Sequence, residues 1–305
     1  MAKNDRMNRR EFLVLGAAGV LAGCHLGGNA SGGEPVLRFG MVTDIHYADL
    51  DPDPKPLGVV GQRYYRESLC KLKEAVDVFN TRSLDFAIEL GDFKDFTRNK
   101  ADTLFHLRAV ERGFARFSGP RYHVAGNHDF DCLTEREFFG ELANNGRPWD
   151  CGYYSFDLKG IHFIVLDACY DSQFRHYSEN NPWDDANVPA HELRWLRREL
   201  AAATVPVVVF IHQRLDYAAQ DNHRVRNAEA VRQVLEESGK VKSVFCGHQH
   251  RGGIVGERGI TYYGLKALVC DSGEGNNSFA EGRIYADGTF DVIGWRNAVS
   301  WGQTR

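Results

Sequence analysis

A chain of 305 residues, 43% hydrophobic and 26% charged, is long and apolar enough to fold around a sizeable core, which excludes a disordered polymer. Its formal net charge of −4 excludes a bulk attraction for a nucleic-acid duplex, and setting aside the basic residues at the start makes the rest more acidic still. Beyond residue 30 no apolar run is long enough to span a membrane, no segment repeats and no CxxC pair suggests a zinc ribbon.

Residues 1–23 read as an export signal. Arg9-Arg10 precedes Glu11-Phe12-Leu13 and an apolar run from Phe12 to Gly23 that is too short for a stable anchor. The paired arginines resemble the address of the twin-arginine export system. Leu21-Ala22-Gly23-Cys24 resembles a lipobox, in which Cys24 is lipidated and tethers the protein to a membrane outside the cytoplasm. Cleavage slightly later, giving a soluble secreted protein, is the plainer alternative. Residues 24–35 are rich in Gly, Ser and Asn and read as a flexible tether, leaving 36–305 as the folded domain. Of the six later cysteines, Cys132 and Cys151 are the closest in sequence should any pair in an oxidising compartment, whereas Cys70 and Cys246 read as small buried hydrophobes.

Residues 36–42 then read as a strand ending at Thr43-Asp44. Residues 63–80 read as a helix with Leu69, Leu72, Val76 and Phe79 on one face. A strand at 86–90 ends at Gly91-Asp92, a helix follows at 101–117, and a strand at 122–124 ends at Gly126-Asn127-His128. Residues 153–158 and 162–166 form a hairpin around Lys159-Gly160. The polar stretch 171–188 has no clear period and contains Trp183; its length suggests a lid or binding loop, with a functionless surface loop as the bland alternative. A helix at 190–203 starts after Pro189, a strand at 207–211 ends at His212, a helix covers 225–237, and a strand at 241–245 ends at Gly247-His248. Several strands with Gly turns fill 254–295. The alternation of strand and helix predicts a layered α/β domain, and the extra strands suggest two packed sheets with helices outside.

Five strands thus run straight into polar clusters: Asp44-Ile45-His46, Gly91-Asp92, Gly126-Asn127-His128-Asp129, His212 and Gly247-His248-Gln249-His250. Ligands of α/β sheets bind beyond the carboxyl ends of the strands, so these side chains can meet in one place. Glycine before Asp92, Asn127 and His248 permits a tight turn. Four imidazoles, two carboxylates and an amide oxygen suit Mn, Fe or Zn, and seven donors exceed what one tetrahedral ion uses. Two divalent ions sharing a carboxylate fit the set and keep the site locally positive, as a phosphate substrate requires. Each piece alone is weak, since a lone His is more often a satisfied core or surface residue. His106, His162, His176 and His191 lack such context and are read that way.

Taken in order, Asp44-x-His46, Gly91-Asp92, Gly126-Asn127-His128-Asp129, His212 and Gly247-His248-x-His250 resemble the motif series of the calcineurin-like metallophosphoesterase superfamily, over residues 37–297. The resemblance implies a four-layer α/β/β/α sandwich. It implies that Asp44, His46, Asp92 and His250 hold one metal, that Asp92, Asn127, His212 and His248 hold the other, and that hydroxide between them attacks phosphorus. His128 is implied to stabilise developing charge or protonate the leaving oxygen, with Asp129 as the neighbour that orients it. Purple acid phosphatases of this superfamily place a metal-binding Tyr where Asp95 stands, which argues against a tyrosinate–iron site. A closer resemblance is to the manganese-dependent ADP-ribose/CDP-alcohol diphosphatase branch, carried by residues 39–49, by Arg63-Tyr64-Tyr65-Arg66-Glu67-Ser68-Leu69 and by residues 247–253. That branch often carries Gln where His46 stands and Gly where Phe96 stands, departures that bear on specificity more than on hydrolysis.

A small phosphate-containing substrate follows from this reading. Tyr47 is a candidate to stack on its base or sugar, and Arg63 and Arg66, one helical turn apart, to grip a second phosphate. A solvated helix start with a packed aromatic is the bland alternative. The favoured activity is hydrolysis of a phosphodiester or pyrophosphate of nucleotide type. A broad phosphomonoesterase for phosphate scavenging and a non-catalytic, membrane-tethered metal- or phosphate-binding protein are the rivals, and the intact His128 argues against the last.

Overall fold

The computed structural model describes residues 33–53, 61–145, 151–179 and 181–302. The export signal at 1–23, the lipobox Cys24 and most of the tether at 24–35 lie outside the described residues. Among those residues, no helix is long and apolar enough to cross a membrane.

The first strand, β1 (Leu37–Val42), shows how the layers arise. Successive strand side chains point to opposite faces. Leu37, Phe39 and Met41 enter one apolar core, and Val42 enters another beneath a helix. The same division runs through β2 (Phe86–Glu89), where Phe86 and Ile88 join Phe39 while Ala87 faces the helices. β1, β2 and β3 (Arg121–His123) are parallel neighbours. The late strands β10 (Ser278–Ile284) and β11 (Phe290–Arg296) extend the sheet antiparallel, in the order β11-β10-β1-β2-β3. Helices α1 (Ser68–Thr81), α2 (Lys100–Phe114) and α3 (Glu135–Gly140) cover its outer face through Leu72, Val76, Phe79, Leu107, Val110, Phe114 and Phe138.

The second sheet has six strands in the order β4-β5-β6-β7-β9-β8. Here β5 (Ile161–Val165), β6 (Val207–Phe210), β7 (Val241–Cys246) and β9 (Ile260–Gly264) are parallel, and β4 (Tyr154–Leu158) and β8 (Gly253–Glu257) close the edges antiparallel. Helices α4 (Ala190–Ala202) and α5 (Ala228–Ser238) cover its outer face with Leu196, Leu200, Val231 and Leu235. Between the sheets lies an aromatic layer: Phe39 stacks on Phe86 at 5.1 Å, Phe163 on Phe210 at 5.9 Å and Tyr122 on Phe156 at 4.0 Å between ring centroids. The expected α/β/β/α layering is the architecture observed.

Details depart from expectation where local signals are short. α1 starts at Ser68 rather than at residue 63, because residues 65–67 form a 3-10 turn after Tyr64 takes φ −116°, ψ 76°. α3 carries only six residues, too few for a readable period, although Thr134 and Glu137 form a capping box at its start. The 4–5 hairpin turns at Lys159-Gly160 with φ of 49° and 78°, the positive pair that matches strand twist. None of the six described cysteines is disulfide-bonded; Cys246 is buried as expected, but Cys70 is exposed on the outer side of α1.

Candidate binuclear metal centre

All five polar clusters sit at the carboxyl ends of parallel strands, β1, β2 and β3 in one sheet and β6 and β7 in the other. The two sheets face each other, so both rims open on the same hollow. Asp44, His46, Asp92 and His248 have positive φ, between 47° and 61°, a conformation rarely adopted by non-glycine residues. Such strain persists only where the surroundings enforce it, and it gathers at functional sites. The glycines act differently from the turn role read in the sequence. Only Gly91 has positive φ; Gly126 is extended at φ −109° and serves close approach instead, since a Cβ there would collide with the Asp92 amide. A Cβ on Gly91 would strike His212, and one on Gly247 would strike Thr43.

The donor atoms converge. Nε2 of His46 and of His250 lie 3.2 Å apart, and His250 Nε2 lies 3.4 Å from Asp44 Oδ1. Asp92 Oδ2 lies 3.5 Å from His46 Nε2 and 3.2 Å from His212 Nε2. Asp92 therefore faces two groups at once: Asp44, His46 and His250 on one side, and His212 and His248 on the other. Its second oxygen is occupied, accepting the His128 amide at 2.8 Å.

Whether this set fits metals can be judged from which atoms are left over. Asp44 Oδ1, Asn127 Oδ1 and His212 Nε2 are buried and have no hydrogen-bond partner. A buried polar atom without a hydrogen-bond partner costs about 1–3 kcal/mol, and a cation coordinated by these atoms would offset that cost. The opposite atoms are held in place. Asp44 Oδ2 accepts from the Thr43 hydroxyl at 2.8 Å and the His248 amide at 3.1 Å, and His212 Nδ1 donates to the Leu90 carbonyl at 2.8 Å. Burial disfavours a charged His212, but Asp92 at 3.2 Å raises it to about 10; with Nδ1 tied to Leu90, Nε2 is the nitrogen at which a cation would take the place of that proton. Burial, reinforced by Arg63, lowers His46 to about 4. Burial also takes His248 and His250 well below the ordinary imidazole value, so these three rings are neutral and able to coordinate. Burial, with Asp92 beside it, pushes Asp44 up to about 7, a penalty that a nearby dication removes. The residues present fit two divalent cations sharing Asp92.

Around the donors stands a bracing layer only partly visible in the sequence. Asp95 accepts from His46 Nδ1 at 3.2 Å and from Arg63 at 3.4 Å. His128 stands beside His46, ring centroids 4.9 Å apart, and its Nδ1 pairs with Asp131 at 2.8 Å. Asp131, not Asp129, is thus the carboxylate that orients His128. Asp129 faces the other way and accepts the backbone amides of Asp92, Phe93 and Gly126 at 3.1, 2.9 and 2.9 Å, fixing the Asp92 loop. The spacing carried a signal: in the 3-10 turn Asn127–Phe130, residues three apart eclipse one another, which sets Asp131 over His128.

The substrate candidates separate. Arg63 is nearly buried beside Asp95, whereas Arg66 points away and pairs with Asp49 and Asp51 at the surface. They share no face because the helix starts after both. Tyr47 packs its ring edge-on against His106 of α2, 5.6 Å away. The 171–188 segment does reach the site: Trp183, 43% exposed, lies 5.9 Å from the His248 ring and 5.3 Å from His223, and His223 lies 5.2 Å from His248. His223 had no strand-end context to single it out. Of the histidines read as structural, His106 packs on Tyr47, His162 pairs with Asp157 at 2.8 Å, His191 lies 6.0 Å from Tyr153, and His176 pairs with Asp167 at 3.0 Å.

Known proteins share this sequence pattern and fold. A family model for calcineurin-like phosphoesterases matches residues 37–252. Over 300 residues the chain is 28% identical to a manganese-dependent ADP-ribose/CDP-alcohol diphosphatase of Oryza sativa subsp. japonica, covering 85% of this chain and 91% of that protein. Its counterpart of that name in Mus musculus is 34% identical over 313 residues, covering 85% and 90%. The crystal structure of a dimetal phosphatase from Danio rerio superposes with a TM-score of 0.77 at 23% identity, covering 88% of this chain and 99% of that one. The chain belongs to the calcineurin-like phosphoesterase family and is a metal-dependent phosphoester hydrolase with a two-metal centre.

Proposed function

We propose that this protein hydrolyses a phosphodiester or pyrophosphate bond in a small nucleotide-like substrate, outside the cytoplasm. The observation that carries the reaction type is the bridging posture of Asp92, whose Oδ2 faces both donor groups. Asp44, His46, Asp92 and His250 would hold one cation, and Asp92, Asn127, His212 and His248 the other. Two such cations supply Lewis acidity and bring the pKa of bound water toward about 7.

The chain's own groups supply the rest. Burial disfavours a charged His128, but Asp95, Asp131 and Asp92 raise it to about 9, so it carries a proton at neutral pH. With Nδ1 held by Asp131, Nε2 is left to hydrogen-bond a developing oxyanion or to protonate the leaving oxygen. Arg63 adds fixed positive charge beside Asp95 at the rim. Trp183 and His223 offer aromatic surface next to His248 on which a base or sugar stacks. The nucleotide-diphosphate preference is supported by relatives named for ADP-ribose and CDP-alcohols.

Assaying ADP-ribose, CDP-alcohols, cyclic nucleotides and simple monoesters with manganese tests the substrate class. Turnover of a diphosphate or diester at kcat/KM well above any monoester is expected; monoesters alone turning over removes the proposal in favour of phosphate scavenging. The twin-arginine and lipobox motifs support export and tethering through Cys24. Fractionation of cells making Cys24→Ser protein should move the activity from membrane to soluble fractions, and an unchanged distribution would dismiss the tether.

A further inference from the structure

Beyond β9 the chain does not leave the rim but runs along it. The amides of Leu265, Ala267, Leu268 and Val269 donate to the carbonyls of Cys246, His250, Thr43 and Asp44 at 2.8, 2.9, 3.1 and 3.1 Å. Asp44 and His250 are candidate ligands of the same cation, so this segment is bonded to the main chain of both. Lys71, buried in α1, fixes the segment from its other side. Its Nζ donates to the carbonyls of Leu268 at 3.1 Å, Cys270 at 2.8 Å and Asp271 at 2.5 Å. An ammonium withdrawn from water needs such partners, and all three of its hydrogens are used here. The main chain at Cys270 is therefore held in place by a charge-assisted bond.

From that anchored point the buried Cys270 side chain reaches the back of the His250 ring, with Sγ 3.4 Å from Nδ1. Nε2 of the same ring faces Asp44 and His46. A cation bound at Nε2 requires the ring hydrogen on Nδ1, and the sulfur stands where that hydrogen points. Burial pushes the thiol up to about 12, so the sulfur is uncharged. The comparison with the other rings is instructive. His46 gives its Nδ1 to the Asp95 carboxylate at 3.2 Å and His212 to the Leu90 carbonyl at 2.8 Å. A thiol is the weakest acceptor of the three, and His250 is the ring that has it.

We propose that Cys270 is a positioning residue of the binuclear centre: its sulfur accepts the Nδ1 hydrogen of His250 and so selects the tautomer and ring orientation in which Nε2 binds a cation. Partners of this kind are worth about 10- to 100-fold in metal affinity, and a sulfur acceptor belongs at the lower end.

Metal binding reads this directly and needs no substrate, so the outcome is independent of which phosphate ester is hydrolysed. Full-length protein is stripped with chelator and titrated with Mn2+ in a calorimeter. Cys270→Ala, which removes the acceptor, is expected to weaken one of the two binding events about tenfold and leave the other unchanged. Cys270→Ser keeps an acceptor and is expected to bind more tightly than Cys270→Ala. Wild-type affinities in Cys270→Ala overturn the proposal, and so does a Cys270→Ser protein weakened as much as Cys270→Ala, which would mark a packing role alone. Should Cys270→Ala not fold, Co2+-loaded wild type and Cys270→Ser are compared by proton NMR. One exchangeable, paramagnetically shifted Nδ1–H resonance should move while those of the other ligating histidines stay; an unmoved set overturns the proposal.

Discussion

The layer between the sheets and the rim above it are made by the same strands yet obey opposite rules. Between the sheets, Phe39, Phe86, Phe163 and Phe210 are fully buried, sit in stacked or edge-on pairs and carry no polar atom. One or a few residues further on, β1, β2, β6 and β7 deliver strained backbone, neutralised histidines and orphaned donor atoms. The difference shows where stability resides: the aromatic layer supplies the burial that holds the rim in a conformation it would not choose alone.

The sharpest way to break this comparison is at His128. His128→Ala should lower kcat by about 10²- to 10⁴-fold, the usual range for losing a general acid, with metal content and melting temperature unchanged. A parallel fall in bound metal would make His128 part of the cradle instead. Next comes the aromatic layer. Phe163→Ala should cost about 3–5 kcal/mol in denaturant unfolding while the folded fraction keeps its metal stoichiometry. An altered stoichiometry would mean that rim and core are not separable.

Titration gives a smaller effect. His123 is buried between Glu89 and Glu111; burial works against its charge, but the two carboxylates raise it to about 9. A histidine that binds its proton more tightly when folded stabilises fully below its unfolded value of about 6.5 and loses that contribution as pH climbs through about 9. Unfolding free energy should fall across that interval in wild type and fall less in His123→Gln; parallel curves would dismiss the triad. The smallest effect belongs far from both regions. Asn99 caps α2 by accepting the Asp102 amide at 2.9 Å, so Asn99→Ala should cost about 1 kcal/mol and leave turnover intact.

The seven candidate donors were legible because each follows an apolar run that only a buried strand explains, and strand ends are where such sheets place ligands. The layering was legible from alternation of period. What could not be read was orientation. Asp129 and Asp131 both neighbour His128 in sequence, and only the course of the 3-10 turn shows which of them pairs with it. Arg63 and Arg66 share a helical face only if the helix begins at residue 63, and no side-chain cap marks its true start five residues later, at Ser68.

The glycines of the rim carry one more consequence. Where a Cβ at Gly126 would strike the Asp92 amide, and one at Gly247 would strike Thr43, main chain rests on its neighbours with nothing between. The spacing of the donors is then a dimension of the polypeptide, fixed by these close approaches. Emptying and refilling the hollow becomes an exchange of cargo in a finished vessel: one metal should replace another under native conditions, with no refolding step in between.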